Sequence, residues 1–230
     1  MNQPFVDEWS NLKTEIIHCQ LCPRLVAYRQ EVARTKRKAY QEWTYWGKPV
    51  PGFGDPSAEV LVVGLAPGPH GSNRTGRMFT GDGSGDFLFP ALYRAGFASQ
   101  PTSKNIEDGL ILKNMFITAV GRCAPPDNKP TIQELDNCQP FLVSEMYLLE
   151  NTKVIVVLGK IAFDRVIGIF KKNGNQLPRM EFKHGGLYRP MKDSPYLLCS
   201  YHPSRQNTQT GRLTEVMFDG IWQQANDLLK

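Results

Sequence analysis

Four short apolar runs punctuate the chain, at residues 60–63, 115–120, 154–158 and 196–200. Each is rich in branched side chains and bounded by Gly, Pro or Asn. None alternates polar with apolar, so each predicts a strand buried on both faces. Helical patterns fall between and after them, at 86–95, 131–150, 160–169 and 213–229, and two more precede them at 5–17 and 24–38. Thr131 and Glu134 stand at capping-box spacing just after Pro130, which marks a helix start. Strands alternating with helices predict an α/β fold. The expected architecture is a three-layer sandwich with a central, mainly parallel four-stranded sheet flanked by helices. Residues 40–57 (YQEWTYWGKPVPGFGDPS) carry too many rings for a flexible linker and predict an ordered irregular segment.

In open α/β sheets, ligands bind outside the carboxyl ends of the strands. Three segments in that position are polar and rich in Gly and Pro. They are 64–86 (GLAPGPHGSNRTGRMFTGDGSGD), 121–130 (GRCAPPDNKP) and 202–212 (HPSRQNTQTGR). A site built from these three loops is the first expectation. The GDGSGD stretch within the first matches no phosphate-loop fingerprint. It reads as a turn into a helix N-terminus that favours an anion.

Composition narrows the classes. The chain has 230 residues, 41% of them apolar and 21% charged, which excludes disorder and suits one globular domain over 1–230. No apolar run reaches the ~18 residues of a membrane span. The N-terminal MNQPFVDEWSNL has neither the basic nor the apolar region of a secretory signal. A cytoplasmic protein is expected, and its five cysteines are then thiols or metal ligands. Cys19 and Cys22 form a C-x2-C pair between two helices. Cys123 and Cys138 follow the second strand. Four thiolates there would suit zinc or an iron–sulfur cluster, and the spacing leaves the metal open. Cys199 sits inside the last apolar run and reads as core. The net charge is +5, which permits an anionic partner. The basic stretch of Arg29, Arg34, Lys36, Arg37 and Lys38 reads equally as a solvated helix face or as a phosphate contact.

The loops 64–82, 122–130 and 202–214, in this order after these strands, resemble the uracil-DNA glycosylase superfamily, and within it family 5, the b-type branch. The segment YWGKPVPGFGDP (45–56) is similar to the same branch. The resemblance runs from about residue 19 to 214. It implies a DNA repair enzyme, a monofunctional glycosylase that flips uracil out of DNA and hydrolyses its N-glycosidic bond. No lysine but Lys129 lies in the three loops, so no Schiff-base lyase step is indicated. Families 4 and 5 hold a [4Fe–4S] cluster. Carried over by position, its ligands are Cys19, Cys22, Cys123 and Cys138, and its role is structural, tying the N-terminal helical segment to the glycosylase domain.

The resemblance also assigns roles. Asp82 matches the carboxylate that orients water and stabilises charge; its sequence context alone reads as a helix cap. Phe79 matches the ring on which the extruded base stacks, and otherwise reads as core. His202 matches the histidine that hydrogen-bonds the departing base, and Asn128 matches a further active-site position. Gly64, Leu65 and Ala66 match the base-pocket backbone. Leu65 stands where several related families have Asn, Asp or Glu, which extends the expected substrates from uracil to hypoxanthine and etheno-cytosine. Arg74, Arg77, Arg205, Gln206 and Arg212 are the expected DNA contacts. The chain departs from the family at Gly68, where Ala is common, and at Arg205–Gln206, where a Pro-Arg pair is usual. The expected partner of this monomer is DNA bearing uracil or other deaminated bases. The four cysteines alone also allow an iron–sulfur redox or electron-transfer protein, and the Gly-rich loop allows a nucleotide-binding module. Neither accounts for the three loops together.

Overall fold

The structure, a computed structural model, describes residues 3–172 and 176–230, with side chains from residue 8 onward. The elements run α1 (Gln3–His18), α2 (Pro23–Thr35), β1 (Phe53–Gly54), β2 (Val60–Gly64), α3 (Ser72–Thr75), α4 (Gly83–Arg94), β3 (Met115–Ala119) and α5 (Ile132–Leu148). They continue through β4 (Val154–Leu158), α6 (Lys160–Lys172), β5 (Leu187–Tyr188), β6 (Tyr196–Ser200), α7 (Arg205–Gln209) and α8 (Glu215–Asp227).

The four apolar runs form four strands paired in parallel, in the order β3-β2-β4-β6. The alternation of side chains sorts them into two cores. Val60, Val62, Ile117, Val156 and Leu198 pack under α4 and α8, with Leu88, Phe218 and Trp222. Leu61, Val63, Phe116, Ile155 and Leu197 pack under α5 and α6, with Leu142, Phe163 and Val166. Both faces are therefore covered, which explains the unbroken hydrophobicity of the strands. The α1 helix packs on α5 through Leu12, Ile16 and Leu148.

The sheet has six strands where four were expected. β1 pairs antiparallel with β3, and β5 antiparallel with β6. Each added strand is two residues long, too short to carry a periodic signal, and each sits at an edge. Helix boundaries differ as well. α2 stops at Thr35 because Lys36 takes a left-handed φ of 54°. α4 starts at Gly83, three residues early, because Asp82 caps it. α5 starts behind the expected Thr131–Glu134 capping box. Among the described residues, no helix is long and apolar enough to cross a membrane.

The chain leaves β2 toward β3 on one side and returns to β4 on the other, so the winding reverses between β2 and β4. The loops after β2, β3 and β6 converge at the carboxyl ends of the strands, where such a reversal opens a crevice.

Candidate active site

The crevice is a cleft of about 720 Å³. Its lining includes Phe79, Asp82, Asn128 and His202, with Leu65 and Ala66 beside them and Arg205 and Gln206 at the edge. Eight of the expected site residues thus meet in one cavity, although they come from three loops.

Phe79 reaches it through a left-handed backbone, φ 52°. Such a conformation is uncommon for a bulky residue and costs about 1–3 kcal/mol. Two glycines accommodate it. A Cβ on Gly64 would lie 2.6 Å from the Phe79 ring, and one on Gly85 would lie 1.9 Å from the Phe79 carbonyl oxygen. Gly64 is therefore buried beneath the ring and does not line the cleft itself. The Phe79 and His202 rings face each other with centroids 5.8 Å apart, inclined by 32°.

Asp82 is the helix cap that its sequence context predicts, and it also lines the cleft. Its Oδ1 accepts from the Ser84 N–H at 3.0 Å and the Gly85 N–H at 3.2 Å, capping α4. Its Oδ2 rests on bare backbone: a Cβ would fall 1.9 Å away at Gly71 and 2.8 Å away at Gly68. Burial raises the Asp82 pKa above the usual carboxylate value, against the two backbone bonds and the nearby Arg205 charge.

His202 follows β6, close to Gly159. Asn207 Nδ2 donates to its carbonyl oxygen at 2.8 Å. Burial pushes its pKa down to about 4, so the imidazole is neutral at physiological pH and offers one N–H donor. Asp127 and Asn128, after β3, are consecutive left-handed residues with φ 53° and 55°. Asn128 is exposed at the cleft wall. Among the described residues, nothing in the protein hydrogen-bonds its carboxamide.

The arginines need correction. Arg77 is buried, and its Nη2 binds both oxygens of Asp108, at 2.8 and 2.9 Å. Arg74 is only 4% exposed, with its guanidinium carbon 3.9 Å from the Tyr40 ring centroid and 4.1 Å from that of Trp43. Neither is free to meet a phosphate. Arg212 is exposed, but it covers the Tyr201 ring at 4.7 Å and lies outside the cleft lining. The cations that do reach the cleft are Arg37, Lys129 and Arg205. Arg37 was legible only as one of a basic run, and Lys129 only as a neighbour of Asn128.

Tyr40 and His70 also line the cleft without having been expected there. His70 Nδ1 lies 3.0 Å from the Tyr45 hydroxyl. Burial, then the charges of Arg37 and Arg74, hold the His70 pKa below its ordinary value. The available signal was its place inside the first loop, between Pro69 and Gly71.

Behind this wall lie the four cysteines. Cys22 packs with Leu25 and Cys123 in a small buried cluster. Asn137 Nδ2 donates to Cys22 Sγ at 3.4 Å. Burial pushes the Cys123 thiol up to about 12, opposed by Arg29 and reinforced by the neighbouring Cys138, Cys19 and Cys22. Among the described residues, no three His, Cys, Asp or Glu stand as a site for a single metal ion. Beside the thiols, Arg29 is 3% exposed, donates to the Gly47 and Cys19 carbonyl oxygens, and has an unpartnered Nε. No carboxylate among the described residues lies within ion-pair distance of it. A buried cation without a counter-charge is expensive. Cys199 is fully buried in β6, its thiol also pushed up to about 12, as befits a core residue.

Comparison with known proteins adds an independent finding. A family model described as the uracil DNA glycosylase superfamily matches residues 51–226. The Type-5 uracil-DNA glycosylase of Thermus thermophilus is 51% identical over 210 residues, covering 91% of this chain and 93% of that protein. That of Mycobacterium leprae is 47% identical over 221 residues, covering 94% of each. That of Pyrobaculum aerophilum is 42% identical over 206 residues, covering 90% of this chain and 87% of that protein.

Proposed function

The chain belongs to the uracil-DNA glycosylase superfamily, and from that premise we propose that its cleft hydrolyses the bond between uracil and deoxyribose in DNA, leaving an abasic site. The observation that carries this reading is the meeting of a carboxylate, a stacking ring and a neutral imidazole in one cleft.

The glycosidic carbon is shielded in stacked DNA, so the nucleotide must leave the helix first. Its base would stack on Phe79. As the bond breaks, its electron pair goes to the base and cationic character develops on the sugar. The neutral His202 N–H would donate to the base carbonyl oxygen where anionic charge gathers. Asp82 Oδ2 would face the sugar, stabilise its charge and accept from the attacking water. The water supplies the sugar hydroxyl, and its proton balances the departing base. Asn128 is assigned to holding base or water. Arg37, Lys129 and Arg205 would contact phosphates, and Gln206 beside Arg205 would approach the duplex. Leu65, with no polar side chain to discriminate bases, supports acceptance of hypoxanthine and etheno-cytosine beside uracil. None of the five cysteines is paired in a disulfide, which suits a reducing cytoplasm.

Incubation with uracil-containing duplex and single-stranded DNA, followed by alkaline cleavage, tests the reading; an intact protein that releases no base from either refutes it. The rate should fall on the acid side as Asp82 takes up a proton. Because burial raises that pKa, the limb should lie above the ordinary carboxylate range. His202 stays neutral down to about 4 and should not set it.

We also assign a structural [4Fe–4S] cluster to Cys19, Cys22, Cys123 and Cys138. Two observations support it: Cys22 and Cys123 share one small buried cluster, and the buried Arg29 beside the thiols has no counter-charge among the described residues. Four thiolates around the irons leave net negative charge to balance the guanidinium. Bound, it would tie the α1–α2 junction to α5 and the loop after β3. Purified protein should contain iron and inorganic sulfide in equal amounts, and Cys123→Ala should lose both. Zinc in their place would overturn the assignment.

A further inference from the structure

Arg74 was expected to meet DNA and instead lies inside the protein. Its two committed hydrogen bonds are informative. Nε donates to the His70 carbonyl oxygen and Nη2 to the Gly81 carbonyl oxygen, both at 2.8 Å. Gly71 follows His70, and Asp82 follows Gly81. Gly71 is the bare backbone on which Asp82 Oδ2 rests. The guanidinium therefore spans the two strands of loop that form the carboxylate and its seat. The fit leaves no slack: a Cβ on Gly81 would fall 2.4 Å from Arg74 Nη2.

The other side of the guanidinium is held by rings. Tyr40 and Trp43 lie edge to face, centroids 6.3 Å apart, and the cation sits over both. Backbone bonds fasten this aromatic segment to α3, from Trp46 N–H to the Arg74 carbonyl oxygen at 2.9 Å and from Gly47 N–H to that of Asn73 at 3.0 Å. Among the described residues no carboxylate pairs with Arg74, and its buried Nη1 has no hydrogen-bond partner. Two aromatic faces thus stand in for an anion, an arrangement in which a desolvated cation is well stabilised. A lysine has neither the planar face nor the fork.

We propose that Arg74 is a positioning residue for the glycosylase reaction: it fixes Asp82 against Gly71, and the Tyr40–Trp43 pair locks it in that role. The proposal rests on Asp82 being the reacting carboxylate. It makes the irregular segment before β1 part of the catalytic apparatus, although Trp43 does not line the cleft.

Arg74→Lys and Trp43→Leu separate positioning from phosphate binding. A misplaced carboxylate costs kcat, so a drop of at least about 10-fold is expected in each, with KM within about twofold of the parent. The salt dependence of DNA binding should not change. A raised KM with unchanged kcat and a shallower salt slope would make Arg74 a phosphate contact and overturn the proposal. Amide hydrogen exchange at Ser84 and Gly85, whose N–H groups bond Asp82, needs no activity. Faster exchange there in Arg74→Lys, with protection elsewhere retained, is expected; parental exchange rates at both amides would overturn the proposal. If the parent protein releases no uracil, the functional reading fails, and the exchange result still decides whether Arg74 positions Asp82.

Discussion

Replacing Asp82 with asparagine should lower the rate of uracil release by at least about 100-fold, the scale of removing one preorganised electrostatic group. The structure makes this variant unusually clean. Asparagine matches aspartate as a helix N-cap. Its carboxamide oxygen can take over the bonds that Oδ1 now accepts from Ser84 and Gly85. α4 should therefore keep its start, and the free energy of unfolding should stay within about 1 kcal/mol of the parent. What disappears is the negative charge at Oδ2, beside Gly68 and Gly71. Burial already works against that charge in the folded protein. Keeping it there makes sense only where it has a task, such as meeting a cationic sugar. Asp82→Ala, by contrast, removes cap and charge together and should add about 1 kcal/mol of destabilisation to the lost rate. Single-turnover base release and thermal unfolding, measured on both variants, separate the two roles. An asparagine variant retaining a tenth or more of the parental rate would leave Asp82 as a cap alone.

The parts of this molecule that were legible in its sequence are those whose signal is local. The four central strands are buried on both faces, so their composition alone marks them. The Thr131–Glu134 box marks α5 because capping is settled within four consecutive residues. β1 and β5 left no trace, since a pair of residues at a sheet edge has no period. The site was legible through the order of its loops, and Asp82 and Phe79 through position within them. The left-handed backbone at Phe79 was not, because the room for it is made by Gly64 and Gly85, neither of which is its sequence neighbour. Charge was the least informative feature. Arg74 and Arg77 are cations in a loop that lines a cleft, so an outward direction is the natural expectation. Their direction is set by partners far along the chain. Arg77 turns inward to Asp108, thirty-one residues on, and Arg74 to rings that precede it by about thirty. Conversely, Arg37 and Lys129 reach the cleft, although the sequence singles out neither: Arg37 is one of a basic run and Lys129 one residue of a site loop.

Glu145 is the extreme case of the same effect, and replacing it should produce the largest loss of stability. On α5 it looks like any helix carboxylate, yet it is 1% exposed. Its Oε2 accepts from Arg122 Nη2 and from the Thr118 hydroxyl, both at 2.6 Å. Arg122 is equally buried, also donates to Thr118, and keeps an unpartnered Nε. The trio joins α5 to β3 and to the loop that follows it. Arg122 directly precedes Cys123 in the chain, and its charge also reaches Cys138. Taking away the carboxylate alone leaves a desolvated guanidinium with no counter-charge, which costs about 3–5 kcal/mol. For a chain of this size that is a fall of roughly 6–20 °C in the unfolding midpoint of Glu145→Ala. The loss should come from the orphaned charge more than from the pair itself, because buried pairs gain little over apolar residues of similar volume. The double variant Arg122→Met with Glu145→Leu should then regain most of what Glu145→Ala loses. Thermal and denaturant unfolding of the three proteins decide the matter. A Glu145→Ala midpoint close to the parent's would mean that water or a neighbouring group compensates Arg122. A double variant no better than the single one would mean that the trio's geometry, and not its charge balance, holds α5 against β3.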